Sequence, residues 1–238
     1  MKNKDPQVLT VLTSALLLVA FSLPANNAFA QSGSNVNMFL GQTPPGNKPE
    51  LFPWTVSPVS FASERIAISK DGREIFYSEI KGYYPNTGEK VRKYTYNDGK
   101  WTGPEVIFEG YAAPALSVTG DTMFIETDFE TFRSVKSGSG WTTPRRILTG
   151  LDSAHYYQVV RNGDYYISSK SGKGAGMSDW CKVVIKGTVT SAVSFGRPLN
   201  TGGENLDFFV AYDGSFMIVT NRPQMGVSFR KSDGSWTN

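Results

Sequence analysis

The chain has 238 residues, of which 39% are apolar and 13% aromatic; this is enough for one domain with a large core and excludes a mostly disordered chain. Its formal charge is +3, and it falls to +2 when residues 1–30 are left out, which is too small to indicate a nucleic-acid partner. The single cysteine, Cys181, excludes a disulfide framework, so burial of the core has to supply the stability.

Residues 1–30 have the features of a secretory signal peptide. Two lysines lie within the first four residues, an apolar stretch covers Val8–Leu23, and the A-x-A cleavage pattern AFA ends at Ala30. A membrane anchor is the alternative, but the apolar stretch contains Thr10, Thr13 and Ser14, and a cleavage pattern follows it at once. The sequence therefore predicts a periplasmic or secreted protein that starts near Gln31 and is not inserted in a membrane after cleavage.

Residues 31–48 read as an extended, polar lead-in, and from residue 49 the chain repeats. Four stretches each combine two strand-like runs with a Gly-containing turn: Ile66–Glu79, Ala115–Asp128, Tyr157–Ser169 and Phe209–Asn221. After each hairpin come a third predicted strand and an aromatic residue, in three cases followed by a proline: Trp101, Trp141, Phe195 and Trp236. No segment after residue 31 shows a sustained helical period.

A repeat of roughly 40 to 50 residues that carries four strands is typical of a propeller blade. The sequence therefore predicts an all-β fold for residues 49–238, a β-propeller of four-stranded antiparallel blades with four repeats, either complete or part of a larger propeller. The first strand of each repeat should line the central channel. Asn47–Phe52 supplies the Pro-x-x-apolar piece that is missing after Trp236, so we expect this segment to pair beside the Trp236 strand and close the ring.

Two segments carry a family resemblance. Ile68–Tyr77 (ISKDGREIFY) and Val227–Thr237 (VSFRKSDGSWT) resemble the repeats of exported bacterial propellers of the TolB-like, WD40-like (PD40) kind. The resemblance covers residues 49–238, although Lys70 stands where the usual proline precedes Asp-Gly and Phe195 replaces a tryptophan. It implies a propeller with a binding or scaffolding role and does not identify a ligand.

The candidate functional residues lie where channel-lining strands are predicted to begin. His155, the only histidine, is a candidate ligand-binding group or general base, with a polar strand-end residue bonded to the backbone as the alternative. Glu64, Glu204 and Asp207 occupy comparable positions and could converge with it on the axis. Arg222, in a later loop, completes the predicted ligand-binding set of His155, Asp207 and Arg222.

Glu126, Asp128 and Glu130 alternate along the second repeat, and we interpret them as a solvated strand edge because a calcium site needs more oxygen ligands. One histidine cannot make a multi-histidine metal site, and no common hydrolase or metalloprotease motif is present, so no cofactor and no metal is predicted.

The favoured function is non-catalytic binding of an envelope protein or an extracellular carbohydrate. The alternative is a carbohydrate-active hydrolase or lyase that uses His155 with Glu64, Glu204 or Asp207.

Overall fold

The computed structural model describes residues 40–42, 47–48, 50–83, 86–221 and 224–237. The predicted signal peptide and most of the lead-in lie outside the described residues. Within them, no helix is long and apolar enough to span a membrane.

The described residues form sixteen strands and one short 3-10 helix at Lys170–Gly172. The strands are β1 (Phe61–Ile68), β2 (Glu74–Ile80), β3 (Lys90–Asn97), β4 (Lys100–Glu109), β5 (Ala112–Leu116), β6 (Thr122–Thr127), β7 (Glu130–Ser137), β8 (Gly140–Trp141), β9 (Arg145–Arg146), β10 (His155–Val159), β11 (Tyr165–Ser169), β12 (Asp179–Lys186), β13 (Val189–Ser194), β14 (Phe208–Val210), β15 (Phe216–Asn221) and β16 (Gln224–Phe229).

Neighbouring strands pair in chain order, which gives four antiparallel sheets arranged as a four-bladed β-propeller. Sheet 1 is β1-β2-β3-β4, sheet 2 is β5-β6-β7 with β8 and β9 both on β7, sheet 3 is β10-β11-β12-β13, and sheet 4 is β14-β15-β16. In sheet 4 the place of a fourth strand is taken by a single antiparallel bridge between Arg230 and Trp236. The predicted all-β propeller with four repeats is therefore confirmed.

The hairpin that opens each sheet is closed by a polar turn. In sheet 1 the Ser69 hydroxyl accepts hydrogen bonds from the Arg73 and Glu74 amides, and Gly72 takes a positive φ of 71° that favours glycine. Glycines at 120, 163 and 214 occupy the matching turns, also with positive φ. The turn chemistry therefore explains why the hairpins could be recognised from the sequence.

The first strand of sheets 1, 2 and 3 contains a β-bulge. Pairing with the second strand shifts register between Ser63 and Ile66, between Ala112 and Ala115, and between His155 and Gln158. Glu64, Ala113 and Tyr156 lie inside these bulges and have positive φ values of 63°, 50° and 56°. A bulge redirects the side chains next to it, and two of the three bulges carry site residues described below.

The core consists of apolar layers between successive sheets, because consecutive residues of a strand point to opposite faces. On β6, Met123 and Ile125 pack with Phe76 of sheet 1, whereas Phe124 packs with Tyr157 and other residues of sheet 3. The largest buried cluster lies between sheets 3 and 4: Tyr156, Val160, Tyr166, Trp180, Leu199, Phe208, Val210, Met217, Val219 and Trp236, together with Ala113 of sheet 2.

The expected pairing of the N-terminal segment beside Trp236 is wrong in the described part of that segment. Leu51 is fully exposed, and residues 50–60 form no strand. The Trp54 ring instead stacks on Tyr77 of sheet 1 with centroids 4.5 Å apart, and the Ser57 amide donates to Glu79 of the same sheet at 3.0 Å. The physical reason is that Tyr77 and Glu79 offer a large ring and an acceptor to this segment, whereas the predicted pairing offered only an edge.

Candidate functional site

Charged side chains from all four sheets meet where the first strands begin. Glu64 comes from β1, Glu126 from the end of β6, His155 from the start of β10, and Asp207 immediately precedes β14. The Nδ1 atom of His155 lies 2.8 Å from Oε1 of Glu126, and its Nε2 atom lies 3.7 Å from Oδ1 of Asp207. Potential ligand atoms of Glu64, Glu126 and His155 all lie within 4.8 Å of one another. We call these four residues the axial cluster.

Tyr156 fixes two carboxylates of the axial cluster. Its hydroxyl donates to Oε2 of Glu64, and its backbone amide donates to Oε2 of Glu126 at 2.9 Å. The same ring stacks on His155 at a centroid distance of 4.1 Å. One residue in a β-bulge therefore orients three members of the cluster.

Arg65 lies beside the cluster and is held in place by backbone carbonyls. Its guanidinium donates to the carbonyls of Tyr156 and Tyr157 at 3.0 and 3.1 Å and to that of Phe208 at 2.9 Å. It also lies 4.4 Å from the centroid of the Tyr156 ring, as a cation–π pair. Arg65 thus links sheet 1 to sheets 3 and 4.

Glu126 differs in residue type from the residues at the equivalent positions of the other sheets. One position of the second strand is equivalent in all four sheets: it lies three residues after the first residue that pairs with the first strand. This position is occupied by Ser78, Glu126, Ser168 and Thr220 in sheets 1 to 4. The Ser78 hydroxyl accepts from the Ala113 amide of the next sheet at 2.8 Å, as Glu126 accepts from the Tyr156 amide. Sheet 2 therefore has a carboxylate where the other three sheets have a hydroxyl, and the longer side chain also reaches His155.

The electrostatics of the cluster shift several pKa values. Burial raises the pKa of Glu64, and the nearby carboxylates of Glu126 and Asp207 add to the increase, while the Tyr156 hydrogen bond and His155 oppose it. Burial alone would lower the pKa of His155, but Glu126, Asp207 and Glu64 outweigh it and raise this pKa to about 9. Burial next to Glu64 raises the pKa of the Tyr156 hydroxyl, which keeps it a hydrogen-bond donor.

The structure brings three of the four predicted strand-start residues together: Glu64, His155 and Asp207. Glu204 is exposed, its backbone bridges to Ser178, and it makes no interaction with those three among the described residues. Arg222 lies outside the described residues. The partners of His155 are carboxylates, in contrast to the alternative interpretation of a strand-end residue bonded to the backbone.

The interpretation of Glu126, Asp128 and Glu130 as one solvated edge is wrong for Glu126. This side chain is buried, with 9% of its surface exposed, whereas Asp128 is exposed and Glu130 forms an ion pair with Arg146 at 2.5 Å. The chain reverses at Asp128, between β6 and β7, so the three residues do not share one strand. The sequence signal that marks Glu126 is its alignment with the hydroxyl residues of the other repeats.

The cluster opens to solvent on one side. The side chain of Asp207 is 44% exposed, that of His155 only 8%. Phe129, in the β6–β7 turn, is 40% exposed and contacts the His155 ring edge-on at 5.0 Å. Phe129 also lines a small cleft, together with residues that include Arg146, Leu148 and Ser153. An exposed ring and an exposed carboxylate thus flank a buried histidine.

Comparison with known proteins supports the fold and does not name a function. No family model matches the chain, and no curated protein matches it. The structure is similar to TolB from Acinetobacter baumannii, with a TM-score of 0.53 and 16% identity over 75% of this chain and 43% of that one. The predicted likeness to TolB-like propellers is thereby confirmed for the fold.

Two gluconolactonases are among the other similar solved structures. One is from Xanthomonas campestris, with a TM-score of 0.47 and 13% identity over 68% of this chain and 55% of that one. The other is periplasmic and from Pseudomonas aeruginosa, with a TM-score of 0.39 and 14% identity over 74% of this chain and 52% of that one. The chain spans 43% of the TolB structure and about half of each gluconolactonase structure.

Proposed function

We propose that this protein is an exported propeller that binds a carbohydrate where the axial cluster opens to solvent. The observation that carries the proposal is that the exposed Asp207 carboxylate and the exposed Phe129 ring both lie against His155, with half-buried Glu64 in the same cluster. Carboxylates accept hydrogen bonds from sugar hydroxyls, and an aromatic ring packs against the apolar face of a sugar. Export is inferred from the signal peptide pattern of residues 1–30.

Burial favours binding over catalysis. The side chains of Glu126 and His155 are at most 9% exposed, and both are engaged with neighbours in the cluster. A general acid or base has to come within hydrogen-bond reach of the substrate, directly or through one water. Asp207 is the best placed of the four to contact a ligand without movement of the chain.

A hydrolase or lyase is the second candidate, and a specific observation favours it. Three of the residues proposed for that chemistry, Glu64, His155 and Asp207, meet in one place. Burial raises the pKa of Glu64, which favours the protonated carboxyl that a general acid requires. Release of product from a bound glycan would establish this candidate.

The test is a panel of polysaccharides and oligosaccharides in which both retention and product release are measured. We expect at least one glycan to be retained. Asp207→Asn and Phe129→Ala should each weaken its binding about 10-fold, because each removes one hydrogen bond or ring contact to the sugar. Glu204→Gln is the matched control, because Glu204 is an exposed carboxylate outside the cluster. This variant should bind the glycan as the wild type does.

Retention without turnover supports the proposal, and turnover that Asp207→Asn abolishes supports the second candidate. Capture of an envelope protein together with failure of every glycan would overturn the carbohydrate proposal in favour of a protein partner.

A further inference from the structure

We infer that the axial cluster is a binding site for one divalent transition-metal ion, such as Zn²⁺ or Mn²⁺, held by Glu64, Glu126 and His155. This inference concerns the same cluster as the proposed carbohydrate site, and it adds a cation that the proposed function does not require. The sequence argues against a multi-histidine site; a mixed set of carboxylates and one imidazole is a different ligand set, and it suits these ions.

The first observation is the orientation of the carboxylates. Each glutamate has one oxygen held by Tyr156: Oε2 of Glu64 by the hydroxyl and Oε2 of Glu126 by the amide. Among the described residues, no hydrogen bond is donated to Oε1 of Glu64, and Oε1 of Glu126 faces Nδ1 of His155 at 2.8 Å. Protein donors that hold one oxygen and leave the other free are the usual support of metal-ligating carboxylates.

The second observation is the unsatisfied nitrogen of His155. This residue is 7% exposed, and its buried Nδ1 atom makes no aligned hydrogen bond, although Oε1 of Glu126 lies only 2.8 Å away. Two ligands bound at about 2.1 Å to one ion lie roughly 3 Å apart with their lone pairs directed at the ion, not at each other. The His155–Glu126 contact has this separation and lacks the alignment of a donor–acceptor pair.

Asp207 completes the site from the other side of the imidazole. Its Oδ1 atom lies 3.7 Å from Nε2 of His155, where a small shift lets the Nε2–H donate to the carboxylate while Nδ1 faces the ion. A metal-ligating histidine almost always donates its second N–H to a carboxylate, a carbonyl or water. The ligand atoms of Glu64, Glu126 and His155, separated by up to 4.8 Å, need to approach by about 1 Å to share one ion.

The charge of the cluster suits a divalent cation. Three carboxylates, those of Glu64, Glu126 and Asp207, face one permanent positive charge, that of Arg65, within range of mutual Coulomb interaction. The ion takes the place of the His155 proton, so in the loaded site the imidazole is neutral and the protein groups carry a local charge of −2. Arg65 is bound to three backbone carbonyls, so its guanidinium is not free to move onto the carboxylates.

The experiment is calorimetric titration of the EDTA-treated protein with Zn²⁺ and with Mn²⁺, together with the visible spectrum of the Co²⁺-loaded protein. We expect one equivalent of metal per chain. Glu126→Ser and His155→Gln should each weaken binding by at least 10-fold and change the Co²⁺ spectrum. Glu126→Ser is designed to preserve the fold, because Ser78 accepts the equivalent amide hydrogen bond in sheet 1.

Two further variants keep the test decisive. Tyr156→Phe removes the donor that orients Glu64 and leaves the amide of residue 156 in place, so it should weaken binding by about 10-fold while the melting profile and circular dichroism stay those of a folded protein. Glu204→Gln should bind metal as the wild type does. Absence of one-to-one binding by wild-type protein, or equal affinity of wild type, Glu126→Ser and His155→Gln, would overturn the inference.

The glycan assay, run with and without the metal, separates this inference from the proposed function. Metal binding without glycan retention leaves the metal site standing and removes the carbohydrate proposal. Glycan retention by a protein that binds no metal does the reverse.

Discussion

A buried ion pair in sheet 1 stabilises the folded protein near neutral pH, and this stabilisation is lost in acid. Glu79 has no exposed surface, and its Oε2 lies 2.5 Å from Nε of Arg92 and accepts from the Ser57 amide. Burial would raise the pKa of Glu79, but the Ser57 hydrogen bonds and the Arg92 guanidinium outweigh it and lower this pKa below its usual value. A lowered folded-state pKa stabilises the fold above the unfolded-state pKa, and the stabilisation is lost as the pH falls through the folded-state pKa.

We therefore predict that Glu79→Gln lowers the free energy of unfolding by about 3 kcal/mol at pH 7, since it leaves a buried Arg92 without its partner. The difference between wild type and variant should shrink as the pH falls below about 4.3, the usual glutamate pKa. Urea unfolding between pH 3 and pH 7 measures this difference. The pKa values of Glu64 and Glu89 are raised and act in the opposite direction, so the comparison with the variant, not the wild-type curve alone, isolates Glu79.

Glu105→Gln is the matched control for this prediction, because Glu105 is 61% exposed. It should change the free energy of unfolding by less than about 1 kcal/mol. Parallel pH curves for wild type and Glu79→Gln would contradict the assignment.

The site residues show what a sequence can reveal at the scale of single residues. Glu64, His155 and Asp207 could be predicted as candidates because each stands near the start of a channel-lining strand. Glu126 was interpreted wrongly, because its alternation with Asp128 and Glu130 imitates a solvated strand face. The signal that marks it is its alignment with the hydroxyl residues Ser78, Ser168 and Thr220 of the other repeats. The bulge at Tyr156 was equally hidden, since a positive φ at a tyrosine has no local sequence signal.

At the scale of strands, the hairpins were predictable and the docking of the N-terminal segment was not. Strand β3, for example, spans Lys90–Asn97, between the first hairpin and Trp101, where the sequence predicts a third strand, because alternation and polar turns are local signals. The contact of Trp54 with Tyr77 is a long-range tertiary contact. The periodicity of apolar residues does not predict which of two apolar surfaces Trp54 packs against.

The layered core predicts a contrast between two phenylalanines on strands. Phe76 on β2 has no exposed surface and packs between sheets 1 and 2, whereas Phe229 on β16 is 57% exposed. Phe76→Ala should lower the free energy of unfolding by about 3 to 5 kcal/mol, since it removes a buried ring and leaves a cavity. Phe229→Ala should cost less than about 1 kcal/mol. Denaturant unfolding of both variants checks the contrast, and equal losses would show that the outer face of sheet 4 is covered in solution.

For the whole molecule, the apolar layers join the sheets in sequence, from sheet 1 to sheet 2, sheet 2 to sheet 3, and sheet 3 to sheet 4. Among the described residues no apolar cluster joins sheet 4 to sheet 1, and Ile66 of sheet 1 and Phe209 of sheet 4 are about half exposed, at 54% and 49%. Polar contacts on the axis therefore carry the connection between the first and last sheets, and Arg65 is at their centre.

Replacing Arg65 should consequently loosen the first sheet against the third and fourth. Arg65→Met leaves three carbonyls, those of Tyr156, Tyr157 and Phe208, without their donor. The expected loss is about 3 kcal/mol or more in the free energy of unfolding. Arg65→Lys should recover only part of it, because a single ammonium group cannot span carbonyls that the planar guanidinium reaches with two nitrogens. Arg145→Met, at an exposed position, is the control and should change stability by less than about 1 kcal/mol.

Hydrogen exchange followed in β1 and β14 locates the effect of the substitution. We expect faster exchange in both strands of Arg65→Met, with the interior of β11 unchanged. Uniform acceleration in all four sheets would mean that the propeller unfolds as one unit and that Arg65 stabilises it without a special role in joining its first and last sheets.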